Sequence, residues 1–443
     1  MGQTIAALDL GSSKTIALVV RKDFFGKLTV LKNETLPSKN AIRRGRVYNS
    51  DETSDIISKL IGKLKKDPAL QVEKIYVGIG GQSLHTQLFC VKRIIEGGTI
   101  DRQLLESMEE EANSYQPEFE ENLGFFDSCE YYADGQLVSN PKGTVASVIE
   151  ARFQLVVGNP CLKLNLEKVL EGKGISVAGY FISPFATAEA VLTPEEKESG
   201  CALVEWGEGL TYVSVYKNKT LKYMVTLPLG GLAITKDIRS LNVSEEEAEA
   251  LKIKYGSAIP DSDDNSEVPV NEEPNSSRKI DLQELNRIIE ARVDEIVGNI
   301  WNQIQLSGYS QALDAGIVIT GGGALLRDLP QYIRNQTGKE VRLSNAKAET
   351  QLSPADSCVV GLIMLGKEDC VKETKEKERL QSLFRTEEVK KPAIKPEKEP
   401  KVKPEKKIRK PIGSGIRDKM RDIFDKVPGL FDENYMDNPD DKT

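Results

Sequence analysis

Two apolar runs near the start of the chain are joined by a turn whose residues could bind a phosphate. The first run ends at Asp9, and the turn contains Gly11, Ser12, Ser13 and Lys14. Backbone N–H groups and hydroxyls of small residues can close around a phosphate, and a lysine adds a positive charge. Asp9 could hold a hydrated Mg²⁺, because this ion takes one or two carboxylates and keeps most of its waters. An ordinary β-hairpin with a polar turn is the alternative interpretation, and this stretch alone leaves both open.

The same plan recurs between residues 201 and 216. An apolar run there ends at Glu205, a turn with Gly207 and Gly209 follows, and a second apolar run returns. Two acid-ended glycine hairpins are a more specific signal than one, because single polar turns occur in many unrelated sheets. The repetition predicts a duplicated fold whose halves face a shared cleft.

Two further groups of residues could contact a sugar or a base. Glu249 and Lys252 lie three residues apart on one face of a predicted helix, so both could reach one sugar hydroxyl. A solvated ion pair is the commoner role of such residues. Gly321, Gly322 and Gly323 follow a buried-strand pattern, and their bare backbone would let an adenine or ribose lie flat against it.

The bulk composition argues against several classes of function. A net charge of −8 argues against a general nucleic-acid binder. The six cysteines lie far apart with no CxxC pair, which is typical of reduced structural thiols in a cytoplasm. His85 is the single histidine, so mechanisms that need several imidazoles are excluded. The start of the sequence does not resemble a signal peptide, and no apolar run reaches the 18 or more residues of a membrane span.

Hydrophobic periodicity predicts strands and crossover helices, the pattern of an α/β protein. A change of pattern between about residues 83 and 161 predicts a small inserted α+β unit. The predicted strands are 25–36, 74–79, 88–94, 129–132, 152–157, 175–181 and 341–343, besides the two hairpins and a strand opening the segment 315–329. The predicted helices are 54–65, 101–115, 184–192, 282–307 and 354–365, with others opened by Gly230 and Gly231 and by a Ser244–Glu247 capping box. Residues 42–47 are predicted to form a basic loop, and residues 260–278 a flexible acidic excursion.

The carboxyl-terminal part of the sequence has a different composition. Residues 371–412 carry 15 Lys or Arg against 8 Asp or Glu, together with repeated prolines, which predicts a disordered tether. A short amphipathic helix is predicted after it, with the apolar stripe Ile416, Met420, Ile423, Phe424 and Val427. Such a helix could bind a membrane surface or a groove on a partner. Its basic residues favour an anionic leaflet.

Taken together, these features resemble the FtsA family of bacterial cell-division proteins, actin-like ATP binders of the actin/Hsp70/sugar-kinase superfamily. The most specific pieces are LPLGGLAITKDI at 227–238, EEEAEALKIKYG at 245–256, and the terminal amphipathic helix. The resemblance implies an α/β, actin-like, duplicated two-lobed fold with an inserted small α+β subdomain and a disordered tether ending in that helix. The implied boundaries are 1–82 (subdomain 1A, first part), 83–162 (inserted subdomain 1C), 163–198 (1A, second part), 199–229 (2A, first part), 230–309 (2B), 310–350 (2A, second part), 351–370 (a helix packing on 1A), 371–412 (linker), 413–431 (membrane-targeting helix) and 432–443 (acidic tail).

The resemblance also implies a role for each candidate residue, with ATP and Mg²⁺ as cofactors. Asp9 and Glu205 would hold the hydrated Mg²⁺ through water. The phosphates would lie between Gly11, Ser12, Ser13 and Lys14 on one side and Gly207 and Gly209 on the other. The ribose and adenosine would contact Gly230, Gly231, Glu249, Lys252, Gly321, Gly322 and Gly323.

The implied partners follow from the same family. The tubulin-like protein FtsZ would bind subdomain 2B, the chain would self-associate into filaments, and other division proteins would bind the inserted unit. The terminal helix would hold the protein to the cytoplasmic face of the inner membrane at the septum, as a peripheral protein. Nucleic acid is not an expected partner.

One departure from the superfamily bears on catalysis. Members commonly have an Asp and a Gly-Gly-Gly-Thr turn at the second hairpin, whereas this chain has Glu205 and places Glu208 in the turn. A second carboxylate near the phosphates predicts weaker binding or additional metal, and at most weak ATPase activity. A small-molecule kinase is the main alternative, although no general base stands out. A chaperone would need a folded domain after residue 371, whereas a pilus-assembly or shape-determining relative stays open.

Overall fold

The computed structural model describes residues 2–38, 40–67, 70–270, 278–344 and 352–372. The predicted terminal helix, with Ile416, Met420, Ile423, Phe424 and Val427, therefore lies outside the described residues. The same holds for the acidic tail and for all of the predicted tether except residues 371 and 372. In the described ranges, no helix is long and apolar enough to span a membrane.

The elements are numbered in chain order. The strands are β1 (Gln3–Leu10), β2 (Lys14–Lys22), β3 (Leu28–Pro37), β4 (Ile42–Arg43), β5 (Arg46–Val47), β6 (Lys74–Ile79), β7 (His85–Thr99), β8 (Glu121–Ala133), β9 (Gln136–Val138), β10 (Val145–Gly158), β11 (Ser176–Ile182), β12 (Cys201–Trp206), β13 (Thr211–Lys217), β14 (Thr220–Leu227), β15 (Glu267–Pro269), β16 (Lys279–Asp281), β17 (Ile317–Thr320) and β18 (Val341–Leu343). The helices are α1 (Ser50–Lys65), α2 (Arg102–Ser114), α3 (Cys161–Leu170), α4 (Ser183–Val191), α5 (Pro194–Ser199), α6 (Gly231–Ile238), α7 (Glu245–Tyr255), α8 (Leu282–Leu306), α9 (Leu329–Thr337) and α10 (Ser357–Leu365).

The first lobe is built on a five-stranded sheet in the order β11-β6-β1-β2-β3. β2 and β3 continue from β1 as an antiparallel meander, while β6 and β11 run parallel to β1. Most of β1 and β2 is buried, because α4 and α10 pack together on this lobe, as do α1 and α3. Helix α1 begins at Asn49, whose side chain accepts hydrogen bonds from the N–H groups of Asp51 and Glu52.

The second lobe repeats this plan. β12, β13 and β14 form an antiparallel meander, and β17 and β18 run parallel to β12. The sequence analysis did not identify β14, although Asn218 and Lys219, both with positive φ, form the tight turn before it. The long helix α8 buries Ile289, Val293 and Ile300 beneath this lobe, as its periodicity predicts.

The inserted unit has a core of its own but shares a sheet with the second lobe. Helix α2 packs on β7, β8 and β10, and Met108 and Phe153 are fully buried there. The sheet order continues β14-β7-β10-β8-β9, through pairing of Val225 with His85. The ends of the insertion lie close together, since the Asn159 N–H donates to Ser83 Oγ at 2.9 Å. The unit therefore leaves the chain of one lobe and extends the sheet of the other.

Two local predictions are wrong. The segment 260–270 is not a flexible excursion, because β15 pairs with β16 and buries Val268 and Val270 against the second lobe; residues 271–277 lie outside the described part. The basic loop at 42–47 contains the small hairpin β4–β5, in which Ile42 is buried. In both places a few apolar residues outweigh the polar composition of the segment.

Candidate functional site

The two predicted phosphate turns lie against each other. A Cβ added at Gly209 would lie 2.9 Å from Ser12 Oγ. Each turn is closed by the same bond: the Gly11 N–H donates to the Lys14 carbonyl at 3.0 Å, and the Gly207 N–H donates to the Leu210 carbonyl at 2.9 Å. The repeated hairpins therefore meet at their turns.

Asp9 and Glu205 bring two carboxylates into the protein behind these turns. Burial raises the pKa of Asp9, although Cys358 Sγ donates a hydrogen bond to its Oδ1 at 3.3 Å. Burial, and to a lesser extent the charge of Asp9, raises the pKa of Glu205 to about 8. Oε2 of Glu205 is buried and makes no hydrogen bond to any described residue.

This pair fits a hydrated magnesium ion. A buried carboxylate oxygen without a partner carries a desolvation cost, and a metal-bound water could donate to it. Bringing a cation between two nearby carboxylates would also relieve the repulsion between them. No cluster of three or more His, Cys, Asp or Glu able to hold a metal occurs in the described ranges. Two carboxylates alone would leave most of the magnesium ligands to water and phosphate.

Lys14 is held by a residue that the sequence analysis did not single out. Its Nζ lies 2.6 Å from Asp356 Oδ1, just before α10. The other oxygen of Asp356 accepts the Ser353 N–H at 3.1 Å, closing a capping box that starts this turn. The Ser-x-x-Asp spacing could have revealed the cap, but its ion pair with Lys14 depends on the fold.

Glu249 and Lys252 form an ion pair, the alternative that the sequence left open, but the lysine is buried. Lys252 Nζ lies 2.6 Å from Glu249 Oε2, and its side chain is only 12% exposed. It also donates to the Gly231 carbonyl at 3.0 Å and to Thr235 Oγ1 at 2.9 Å. The pair therefore links α7 to the start of α6, where the Gly231 N–H donates to the Gly207 carbonyl at 3.0 Å.

Glu208 adds a carboxylate to this region, as the sequence predicts. Burial raises the pKa of Glu208, and the negative charge of Glu249 acts in the same direction. Lys252 opposes both effects. The second turn thus carries a carboxyl group that resists ionisation.

The triple-glycine turn is shaped by Trp206. Gly321 has φ +93°, and a Cβ on it would lie 2.4 Å from the Trp206 carbonyl oxygen. A Cβ on Gly323 would lie 2.3 Å from Trp206 Cδ1. Only Gly322 is exposed, with Ala355 Cβ the nearest atom at 3.8 Å from an added Cβ. Two of the three glycines are therefore needed for packing, and the third presents open backbone.

A cleft of about 720 Å³ adjoins the turns. Ser12, Gly209 and Gly230 line it together with Arg44 and Arg46, whereas Asp9 and Glu205 do not. The β4–β5 turn closes over the first phosphate turn, because the Gly45 N–H donates to Ser12 Oγ at 3.2 Å. The sequence signal for the arginines in this lining was the run Arg43-Arg44-Gly45-Arg46, since arginines around a glycine are typical of anion sites.

Comparison with solved structures identifies the fold. A structure of the PilM–PilN type IV pilus biogenesis complex matches 81% of this chain and 97% of its own, with a TM-score of 0.57 and 14% identity. At that identity the likeness concerns the fold alone. The duplicated meanders, in each of which an acid and a glycine turn close the first strand, define an actin-like fold.

Sequence comparisons show which family the chain is similar to. The family model "Cell division protein FtsA" matches residues 202–361. The cell division protein FtsA of Porphyromonas gingivalis is 29% identical over 98% of both chains, and that of Neisseria meningitidis is 29% identical over 81% of this chain and 89% of its own. By both comparisons the chain is similar to the FtsA family of cell division proteins.

Proposed function

We propose that this chain is an ATP-binding, actin-like cell-division protein that polymerises on the cytoplasmic membrane and tethers FtsZ filaments to it. The contact between Ser12 and Gly209, with Asp9 and Glu205 close by, carries the nucleotide part of the proposal. The amphipathic pattern at 413–431 carries the membrane part.

In this proposal the site residues divide the nucleotide among them. Gly11, Ser12, Ser13 and Lys14 bind the phosphates from one lobe, and Gly207 and Gly209 bind them from the other. Gly230, Gly231, Glu249 and Lys252 lie beside the ribose, and the Gly321–Gly323 backbone lies beside the adenosine. A Mg²⁺ held through water by Asp9 and Glu205 would neutralise phosphate charge.

Hydrolysis is proposed to be weak at most. Asp9 and Glu205 would both be committed to the metal and its waters. Glu208 is half-buried in the second turn and would repel the phosphates when ionised. ATP would then act mainly as a ligand that holds the lobes together.

The partners are assigned by region. FtsZ binds residues 230–309, later division proteins bind the inserted unit at 83–162, and copies of the chain associate into filaments. The terminal helix inserts its apolar stripe into an anionic leaflet at the septum. One such anchor binds weakly, whereas many on a filament bind strongly.

A vesicle assay with FtsZ tests the tether. We expect the full chain to carry FtsZ filaments into the pellet with anionic vesicles, and Phe424→Glu to leave both in the supernatant, because a carboxylate would enter the apolar stripe. Phe119→Glu, an exposed site in the inserted unit, serves as the control. Pelleting of Phe424→Glu at the level of the control would refute the terminal anchor. Vesicle binding without FtsZ recruitment would refute the FtsZ assignment.

A further inference from the structure

Two adjacent phenylalanines project into solvent at the tip of the β2–β3 hairpin. Phe24 is 81% exposed and Phe25 is 97% exposed. The turn at residues 23–27, here called the Phe tip, is well built: Asp23 Oδ1 accepts the N–H groups of Phe25 at 2.9 Å and Lys27 at 2.8 Å. Gly26 takes φ +79°, which closes the turn. The local hydrogen bonds hold both aromatic rings away from the sheet.

The Phe tip lies at the same end of the first-lobe sheet as Cys370, close to the last described residue. Gln3 at the start of β1 pairs with Lys22, the last residue before the tip. The Cys370 N–H donates to the Thr4 carbonyl at 2.8 Å, so the end of the described chain meets the same end of β1. Neighbouring strands lie about 4.8 Å apart, so roughly 10–15 Å separates the tip from this exit point.

Further contacts fix the end of the chain to the base of the hairpin. Lys22 Nζ donates to the Met364 carbonyl at 3.1 Å, and Gln3 Nε2 donates to the Lys367 carbonyl at 2.7 Å. Residues 364–370 are therefore fixed to the end of the sheet that carries the Phe tip.

The charges around the tip suit an anionic surface. Arg21, Lys22 and Lys27 flank the phenylalanines. Three acids at this end of the sheet are engaged: Asp23 binds the turn amides, Glu368 pairs with Lys74 at 2.7 Å, and Glu73 pairs with Lys372 at 3.7 Å. Exposed aromatic rings beside basic side chains are favourable at the headgroup level of a bilayer.

We propose that the Phe tip is a second lipid contact, with Phe24 and Phe25 entering the headgroup region of an anionic leaflet. This inference rests on the proposed function, in which the carboxyl-terminal tail brings the end of the sheet that carries the Phe tip to the membrane. A second contact next to the tail would fix which face of the body meets the bilayer. It would also raise the affinity, since it forms within an already tethered complex.

Tryptophan quenching in the full chain tests the contact. Phe25→Trp is mixed with vesicles of phosphatidylglycerol and brominated phosphatidylcholine, and the signal of the native Trp206 and Trp301 is subtracted. We expect the emission of the tryptophan introduced by Phe25→Trp to shift to the blue and to be quenched. The matched control is Phe119→Trp, which is 82% exposed in the inserted unit, beyond the opposite end of β6, and should be unaffected.

A third reporter, Phe424→Trp in the predicted terminal helix, separates this inference from the proposed function. Quenching of both Phe424→Trp and Phe25→Trp supports the second contact. Quenching of Phe424→Trp alone overturns it and leaves the proposed tether standing. Quenching of neither overturns both.

Removing the rings gives an independent measurement. We expect the double variant Phe24→Ser/Phe25→Ser to bind anionic vesicles about tenfold more weakly, with an unchanged melting temperature because both positions are exposed. Phe119→Ser should bind as the parent chain does. Unchanged vesicle affinity in the double variant would overturn the proposal. Loss of self-association with unchanged vesicle affinity would also overturn it, and would instead assign the tip to contacts between copies of the chain.

Discussion

At the scale of single residues, burial disfavours the ionised form of three carboxyl groups at the site. Burial raises the pKa of Asp9, Glu205 and Glu208. A cation between Asp9 and Glu205 would reverse this effect, because it stabilises the charged forms. We therefore expect metal and nucleotide to bind together and to release protons.

The Glu205 carboxyl should make stability depend on pH in the absence of ligand. Folding raises its pKa from 4.5 to about 8, so its stabilising contribution is full below pH 4.5 and is lost as the pH rises through 8. Glu205→Gln removes this dependence. Between pH 5 and 8.5, the free energy of unfolding of the variant should rise relative to that of the parent by on the order of a few kcal/mol, as measured by urea denaturation. Exposed Glu284→Gln is the control, and parallel profiles for Glu205→Gln and the parent would contradict the prediction.

Lys14 should contribute directly to nucleotide affinity. Its ammonium lies 2.6 Å from Asp356 and would exchange that carboxylate for a phosphate. A charge-assisted hydrogen bond contributes about 1.5–3 kcal/mol, so Lys14→Ala should weaken binding of Mg·ATP roughly 10- to 100-fold in a fluorescence titration. Lys59→Ala, exposed on α1, should bind as the parent does. Equal affinities in the two variants would mean that the phosphates bind elsewhere.

At the scale of elements, each predicted phosphate turn is positioned by packing beneath it. Trp206 ends β12 and fills the space under the triple-glycine turn, so the second hairpin and the turn after β17 form one unit. The β4–β5 hairpin positions the first turn through the hydrogen bond from the Gly45 N–H to Ser12 Oγ. The geometry of the site therefore depends on residues that would not touch a ligand.

The triple-glycine turn offers a matched pair of substitutions. Gly323→Ala would place a methyl group 2.3 Å from Trp206 Cδ1, and we expect it to lower the free energy of unfolding by about 1–3 kcal/mol. Gly322→Ala meets no atom closer than 3.8 Å and should be nearly neutral. Denaturant titrations compare the two variants. Equal stabilities would show that Trp206 does not constrain the turn.

At the scale of the whole molecule, the two lobes are joined beside the site. The Gly81 N–H donates to the Tyr212 hydroxyl at 2.8 Å, and Thr226 Oγ1 donates to the Leu84 carbonyl at 2.7 Å. The inserted unit adds the ion pair between buried Lys222 and Glu130. A ligand held between the turns would add to these contacts between the lobes.

Nucleotide binding and membrane binding should be separable in the full chain. Mg·ATP at 100 times its dissociation constant should stabilise the protein by about 2.7 kcal/mol. We expect Phe424→Glu to keep this stabilisation and lose vesicle binding, whereas Lys14→Ala, at the same ligand concentration, loses about half of the stabilisation or more and keeps vesicle binding. Thermal denaturation and vesicle sedimentation measure the two properties. Loss of both properties in either variant would show that the functions are coupled.

The sequence by itself determined the elements whose signals are local. Several elements depend only on neighbours a few residues apart, so the sequence pattern predicted them. They are the apolar runs around Asp9 and Glu205, the capping box at Ser244 and the periodic helix α8. The tertiary structure alone decided which distant residues meet. Lys14 and Asp356 are 342 positions apart, and the pairing of β7 with β14 joins the inserted unit to the far lobe. Such contacts depend on sheet register and side-chain packing, which no local spacing encodes.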